Sequence, residues 1–182
     1  DKQLIKVISG IRRAGKSTLL QMFRQELLDS GIDEKQTITI NFEDLAYRDI
    51  LTAEAAYDYI AERLLPDKKN YIFLDEVQNV AQFEKMADSL FIKDNVDLYI
   101  TGSNAYFLSS DLATVLTGRY IQIHMFPLSF AEYISGFADN SNLPLLYANY
   151  INYGSFPQTL DLFLDNPEAV KPYLQSIYDT IL

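Results

Sequence analysis

The chain has 182 residues, of which 48% are hydrophobic and 22% are charged, and its formal net charge is −10. These values are typical of one globular domain, or of one domain with the start of another. No stretch approaches the roughly 18 apolar residues of a membrane span, and an acidic chain lacks the broad basic surface that binds nucleic acid. Cysteine is absent, which excludes disulfides and thiolate metal sites and fits a reducing, cytoplasmic location. We therefore expect neither membrane association nor direct nucleic-acid binding.

Predicted strands and helices alternate along the first two thirds of the chain. Short apolar or β-branched runs predict strands at 4–9, 37–42, 71–74, 96–101 and 120–125. Apolar residues at helical spacing predict helices at 17–30, 52–65, 83–91 and 109–116. Gly102 is expected to end the fourth strand. This alternation predicts an α/β fold with a mainly parallel sheet flanked by helices.

From Pro127 onward, the pattern becomes helical only. Ser129 and Glu132 form a capping box that predicts a helix to about residue 135, and further helices are expected at 144–153 and from Pro172 onward. Aromatic residues are frequent here at helical spacing, which favours a helical core over a base-stacking platform. They are Tyr133, Tyr147, Tyr150, Tyr153, Phe156, Phe163, Tyr173 and Tyr178. We therefore predict a first domain at 1–126 and a helical module at 127–182. We expect this module to be truncated at its C-terminal end, because its last helical pattern lacks a cap signal.

The segment between the first strand and the first helix matches the P-loop pattern G-x-x-x-x-G-K-S/T. Its residues are Gly10, Ile11, Arg12, Arg13, Ala14, Gly15, Lys16 and Ser17, and we include Thr18 among the predicted nucleotide-binding residues. The glycines allow a tight turn whose N–H groups surround a phosphate. Lys16 is suited to the β- and γ-phosphates of ATP, and the Ser17 hydroxyl is suited to Mg²⁺. The alternative is a glycine-containing loop that matches by chance, but the strand–loop–helix context favours the P-loop.

Two carboxylates, Asp75 and Glu76, follow the third predicted strand. They stand at the carboxyl end of a central strand, where α/β sheets bind ligands. In a P-loop NTPase the first carboxylate supports Mg²⁺, and the second can polarise an attacking water. The alternative interpretation is a solvated acidic turn. A glutamate beside the metal aspartate favours hydrolysis over phosphoryl transfer to a small molecule.

Asn104 and Arg119 are two further candidates for the catalytic group. Asn104 follows the fourth predicted strand, where its amide could contact the γ-phosphate or the attacking water, although a plain turn explains the same residues equally well. Arg119 begins the fifth strand, and its guanidinium could stabilise charge on its own nucleotide or on that of a neighbouring subunit. A surface salt bridge is the alternative. His124 is the only histidine, and with no partner motif we expect no metal or catalytic role for it.

Together these stretches resemble a family of prokaryotic AAA-like P-loop ATPases that carry a C-terminal domain of unknown function. The matching stretches are 9–18, 41–44, 73–78, 101–104, 116–119, 127–133 and 153–157. The resemblance implies a P-loop core of the additional-strand type, with Asp75 and Glu76 as its Walker B and Asn104 as a sensor. It also implies a following helical, winged-helix-like module. The family often has two glycines where this chain has Gly154 and Ser155, so the resemblance does not predict the exact turn at that point.

Two hypotheses follow from these residues. In the first, the protein is an Mg²⁺-dependent ATPase coupled to an unknown protein effector. Lys16 and Ser17 bind phosphate and metal, Asp75 supports the metal, Glu76 activates water, and Arg119 acts in trans within an ATP-dependent homo-oligomer. In the second, the protein is an ATP-gated switch that hydrolyses nucleotide rarely and signals to a partner protein. A small-molecule kinase is disfavoured, because no acceptor pocket is recognisable in the sequence.

Overall fold

The computed structural model describes residues 4–103 and 115–179, and the chain divides into two compact units. The first unit comprises Asp1–Gly10 and Lys16–Met125, and the second comprises Ile11–Gly15 and Phe126–Leu182. The helix predicted at 109–116 lies almost entirely outside the described residues. The division into domains at 1–126 and 127–182 stays a prediction about independently folding parts.

A parallel sheet forms the centre of the first unit. Its strands within the described residues are β1 (Ile5–Gly10), β2 (Thr37–Asn41), β3 (Asn70–Asp75), β4 (Val96–Ser103) and β5 (Tyr120–Met125). Their order across the sheet is β2-β3-β4-β1-β5, and each neighbouring pair is parallel. β4 therefore lies between β1 and β3 as the additional strand that the resemblance implies. The predicted α/β fold with a mainly parallel sheet is confirmed.

Helices cover both faces of this sheet. They are α1 (Lys16–Asp29), α2 (Ala53–Ala61) and α3 (Phe83–Phe91). Successive residues of a strand point to opposite faces, so Ile72 and Leu74 of β3 belong to the apolar cluster that contains residues of α2 and α3. Phe73 between them packs instead with Leu20 and Phe23 of α1. Burial on both faces explains why β3 is an unbroken apolar run in the sequence.

Two predicted boundaries in the first unit are wrong by two residues or more. β4 does not end at Gly102 but continues to Ser103, because its parallel pairing with β1 matches Gly102 with Ser9 and keeps the backbone extended. α2 ends at Ala61 rather than at residue 65. The backbone N–H and carbonyl of Leu65 are both bound by the side chain of Asn70, at 2.9 Å each, which holds Leu65 in the turn before β3.

The described residues of the second unit contain helices and no strand. The helices are α4 (Phe130–Ser135), α5 (Leu143–Tyr153), α6 (Pro157–Asp165) and α7 (Val170–Tyr178). α6 was not predicted, and α7 begins two residues before Pro172, the predicted start. Both prolines lie in the first turn of their helices, where the missing N–H has no intrahelical acceptor to lose. The wing of a winged helix is absent from the part of this unit that the structure describes.

The capping box at the start of α4 is confirmed. Glu132 N–H donates to Ser129 Oγ at 3.3 Å, and Ser129 N–H donates to Glu132 Oε2 at 2.7 Å. Hydrogen bonds from the hydroxyl and then from the backbone N–H of Ser129 lower the pKa of the Glu132 carboxyl. The capping box therefore fixes the first turn of the helix that follows the sheet.

The aromatic residues of this unit are only partly the predicted helical core. Tyr133 is fully buried, and its ring centre lies 5.3 Å from that of Tyr150 and 5.2 Å from that of Phe137. Tyr147 and Tyr178, however, are 53% and 59% exposed. Helical spacing therefore identified the core of this module correctly but included residues on its surface. None of the helices described here is long and apolar enough to cross a membrane.

Candidate active site

The carboxyl ends of β1, β3 and β4 meet at one edge of the sheet. β1 ends at Gly10, β3 ends at Asp75, and β4 ends between them at Ser103. Because β4 separates the other two strands, Gly10 and Asp75 are two strand spacings, about 10 Å, apart across the sheet, and the strand registers offset them by about two residues along it. The sheet therefore brings the start of the predicted P-loop and the predicted metal ligand to the same edge.

Lys16 occupies the first position of α1 at this edge and is only 4% exposed. Its Nζ donates to the carbonyl oxygen of Gly10 at 3.2 Å, so the ammonium lies beside the end of β1. Ser17 and Thr18 follow in the first turn of α1. The N-terminus of a helix carries a partial positive charge and unpaired N–H groups. Ammonium and helix end therefore favour the same kind of ligand, an anion such as a phosphate.

Each glycine of the P-loop pattern has its own structural reason. A Cβ built on Gly10 would lie 2.4 Å from the carbonyl oxygen of Met125, so glycine permits the close approach of β5. Gly15 has a φ of 97°, a conformation that side chains with a Cβ rarely adopt. Arg13 has a φ of 68°, and Ala14 N–H donates to the carbonyl of Ile11 at 3.3 Å. The segment therefore has the tight turn that the sequence predicts.

Gly10→Ala is expected to destabilise the first unit by about 1–3 kcal/mol, because the added methyl group overlaps the backbone of β5 and cannot be relieved by a side-chain rotation. Urea unfolding followed by circular dichroism measures this loss. Gly31→Asn provides the control, since a Cβ there meets nothing within 4 Å and the variant carries only the backbone strain of a φ of 96°. An equal loss in both variants would contradict the proposed role of the Met125 contact.

The loop Ile11–Gly15 contacts helix α7 within the second compact unit. The guanidinium carbon of Arg13 lies 5.1 Å from the ring centre of Tyr173. A cation–π contact of this kind contributes about 0.5–1 kcal/mol at an exposed site. The sequence indicated Arg13 as a nucleotide-binding residue and Tyr173 as a core aromatic, but it gave no sign that the two would touch.

A buried group of hydrogen bonds joins the ends of β3 and β4. Asp75 is 6% exposed, and its Oδ1 accepts a hydrogen bond from the hydroxyl of the fully buried Thr101. The same hydroxyl oxygen accepts the backbone N–H of Glu76 at 3.1 Å. Thr101 therefore fixes both residues of the predicted Walker B. Sequence reasoning missed this role and favoured Asn104, three residues later, which lies outside the described residues.

Glu76 has an unusual backbone and a restrained side chain. Its φ of 54° and ψ of 50° are left-handed, a conformation that is uncommon for a residue other than glycine. Its carboxylate oxygen Oε2 accepts a hydrogen bond from Gln78 Nε2 at 2.5 Å. The sequence offered Gln78 only as part of a family-like stretch and assigned it no function.

Arg119 lies at the opposite end of the strands, where β1 and β5 begin. Its carbonyl accepts the N–H of Ile5, the first residue of β1, and its guanidinium forms an ion pair with Asp88 of α3. The five residue steps from Ile5 to Gly10 span about 17 Å of strand, so the structure does not bring Arg119 to the P-loop edge of its own sheet. This ion pair is the salt bridge that the sequence allowed as the alternative role of Arg119. Action on the nucleotide of a neighbouring subunit stays a prediction.

Mixing two inactive variants tests that prediction. If Arg119 acts in trans, Arg119→Ala and Lys16→Ala proteins that co-assemble are expected to regain part of the ATPase activity, because a mixed interface pairs an intact P-loop with an intact arginine. Asp88→Ala is the matched control, since it breaks the same ion pair but keeps the guanidinium. Equal activity losses in Asp88→Ala and Arg119→Ala, with no recovery on mixing, would reduce Arg119 to a structural residue.

The described residues contain no group of three or more histidine, cysteine, aspartate or glutamate side chains that could hold a metal by themselves. Ser17 and Asp75 remain the predicted metal ligands. Such a sparse set fits Mg²⁺, which is commonly held by one or two protein ligands together with water and phosphate oxygens. The Nδ1 of His124 lies 3.0 Å from Ser9 Oγ, in a hydrogen bond between β5 and β1.

With this geometry established, comparison with known proteins identifies the family. Residues 2–134 match a family model described as an AAA domain. The chain belongs to this family. The match includes the P-loop, β3 with its two carboxylates, and β4, so the resemblance to AAA-like ATPases is confirmed. An AAA domain is a nucleotide-binding domain of the P-loop ATPase kind.

Relatives of this AAA domain occur in bacteria and archaea. An uncharacterized protein of Haemophilus influenzae is 38% identical over 186 residues, which cover 100% of this chain and 46% of the relative. An uncharacterized protein of Methanocaldococcus jannaschii is 31% identical over 194 residues, covering 96% of this chain and 41% of the relative. The chain therefore spans less than half the length of these two relatives.

Solved structures agree with the fold. AMPPCP-bound DnaA from Aquifex aeolicus superimposes with a TM-score of 0.60 at 13% identity, covering 97% of this chain and 60% of DnaA. At this level of identity the likeness concerns the fold alone. It confirms that the parallel sheet with its flanking helices is a P-loop NTPase fold.

Proposed function

We propose that this AAA domain binds ATP with Mg²⁺ and hydrolyses it, and that it couples this cycle to a protein effector. The observation that carries the proposal is the group formed by Asp75, Glu76 and Thr101 at the same sheet edge as Lys16. A buried carboxylate and a second carboxylate at the end of a central strand are the parts that hydrolysis adds to a phosphate-binding loop.

Each side chain has a distinct part in the proposed reaction. Lys16 and the N-terminus of α1 bind the β- and γ-phosphates, and Ser17 and Asp75 hold the metal. When bound, Mg²⁺ would neutralise phosphate charge and keep the β- and γ-oxygens in position. Glu76 accepts a proton from the attacking water, and Thr101 keeps both carboxylate residues in register through its two hydrogen bonds. ATP, rather than GTP, is proposed because the chain belongs to an AAA domain family, which is of the P-loop ATPase kind.

An ATP-gated switch is the second candidate, and one contact favours it. Arg13 of the P-loop touches Tyr173 of α7, so a change in the loop on nucleotide binding would reach the helical module directly. In such a switch the bound nucleotide sets the conformation presented to a partner, and hydrolysis only resets it slowly. The ATPase and the switch differ in turnover and not in the binding site.

Calorimetry and phosphate release on the full-length protein separate these functions. ATP, ADP and GTP are titrated with and without Mg²⁺, and phosphate release and particle size are then followed with ATP. Steady Mg²⁺-dependent release supports the ATPase, and ATP-dependent assembly supports the proposed homo-oligomer. Tight ATP binding with co-purified nucleotide and little release favours the switch. Absence of nucleotide binding rejects both.

A further inference from the structure

The side chain of Gln78 binds the proposed catalytic base. Gln78 lies in the short 3-10 helix Val77–Asn79 that follows β3, two residues after Glu76. Its Nε2 donates to Glu76 Oε2 at 2.5 Å, and this is the one side-chain donor to that carboxylate in the part of the chain that the structure describes. Because the amide donor is neutral, it fixes one carboxylate oxygen without adding an opposing charge.

Stability does not explain this arrangement. The Oε1 of Gln78 is buried and has no hydrogen-bond partner among the described residues, a situation that costs about 1–3 kcal/mol. The left-handed backbone of Glu76 adds a cost of about 1–2 kcal/mol. Two unfavourable features, one in each partner of the hydrogen bond, therefore accompany the contact. Such features accumulate at functional sites, where the surrounding structure holds them in place.

The contact instead fixes the orientation of the Glu76 side chain, which favours catalysis. A free glutamate side chain has several rotamers, and restricting them costs up to about 2 kcal/mol. A base that is already fixed before the substrate arrives does not lose this entropy during the reaction. Thr101 fixes the backbone of Glu76 at 3.1 Å through its N–H, and Gln78 fixes the end of the side chain. Together they hold the residue at both ends.

We propose that Gln78 is a positioning residue that holds the Glu76 carboxylate ready to accept the proton of the attacking water, an inference that rests on the proposed ATP hydrolysis. In this role Gln78 acts through Glu76 and not on the nucleotide, so its effect should appear in kcat.

Gln78→Met and Gln78→Glu test this role in the full-length protein. Methionine has a similar length without a donor, and glutamate keeps the shape but places a like charge beside Glu76. Both variants are expected to lose at least tenfold in kcat, with the KM and Kd for ATP unchanged within twofold. Gln78→Met should not lower Tm, because it removes the unpartnered amide oxygen. In a Glu76→Gln background, Gln78→Met should cause no further loss of kcat.

Gln25→Met is the matched control. Gln25 donates to Asp29 at 2.8 Å on the exposed face of α1, so the variant removes the same kind of hydrogen bond away from the site. It should leave kcat unchanged. If the wild type hydrolyses ATP and both Gln78→Met and Gln78→Glu keep its turnover, the positioning role is overturned. The proposed ATPase function is upheld in that case. If Gln78→Met fails to fold, the kcat of Gln78→Glu alone tests the positioning role. A further loss in the Glu76→Gln background also overturns the role, and a wild-type protein without turnover rejects both proposals.

Discussion

Replacing Lys16 with alanine is expected to weaken ATP binding at least tenfold, which corresponds to about 1.4 kcal/mol. The ammonium of Lys16 is buried at the N-terminus of α1 and held against the end of β1 by the Gly10 carbonyl. It is therefore fixed where the β- and γ-phosphates are proposed to lie. Calorimetric titration of the folded variant with ATP and Mg²⁺ measures the loss.

The control for this prediction is Lys68→Ala. Lys68 is exposed in the turn before β3, so its removal changes the net charge equally but leaves the sheet edge intact. ATP affinity should be unchanged in this variant. If Lys16→Ala also binds ATP with wild-type affinity while its circular dichroism is unaltered, the loop at Gly10 is not the phosphate site.

Much of the fold could be predicted because local patterns and tertiary contacts agree. The helix at 83–91 and the strand at 120–125 were predicted with the bounds that the structure has. The apolar periodicity of the helix is also its packing pattern. The strand is instead held by pairing along its whole length with β1, since its Ile121 and Ile123 are exposed. Gly102 shows the opposite case. Its local preference is to end a strand, but pairing with Ser9 of β1 overrides that preference.

Helix α6 was missed for a different reason. Pro157 at its start was assigned only to a family-like stretch and no helix was predicted there, although proline is well suited to the first position of a helix. The beginning of the helix depends on the chain direction after α5, which the sequence alone does not specify.

The candidate site could be predicted only where one motif contains the chemistry. The P-loop pattern and the pair at 75–76 each point to a ligand by themselves. The contact of Thr101 with Asp75 depends on β4 lying beside β3, and the contact of Arg13 with Tyr173 joins residues far apart in sequence. The amide of Gln78 binds the side chain of Glu76 in a segment where the backbone of Glu76 is left-handed. These contacts depend on strand order and backbone conformation, for which single-residue patterns carry no signal.

The two residues of the proposed Walker B should respond differently to removal of their charge. Glu76→Gln is expected to keep the Kd for ATP within twofold and to lose at least about 100-fold in turnover, because a proton acceptor contributes in the transition state and little to ground-state binding. Asp75→Asn is expected to weaken Mg²⁺-dependent ATP binding as well, because it removes the charge of a proposed metal ligand. Calorimetry with and without Mg²⁺, together with phosphate release, measures both effects.

The structure makes this comparison clean. In Asp75→Asn the amide oxygen can still accept the Thr101 hydroxyl, and in Glu76→Gln it can still accept Gln78 Nε2, so neither change should break the hydrogen bonds that hold the site. Glu54→Gln, on the exposed first turn of α2, is the matched control and should behave as wild type. Equal losses of ATP binding at Asp75 and Glu76 would mean that Glu76 is structural. If the wild type turns over slowly and Glu76→Gln turns over at the same rate, the switch is favoured. In that case Glu76 does not act as a base, so its replacement has no effect on turnover.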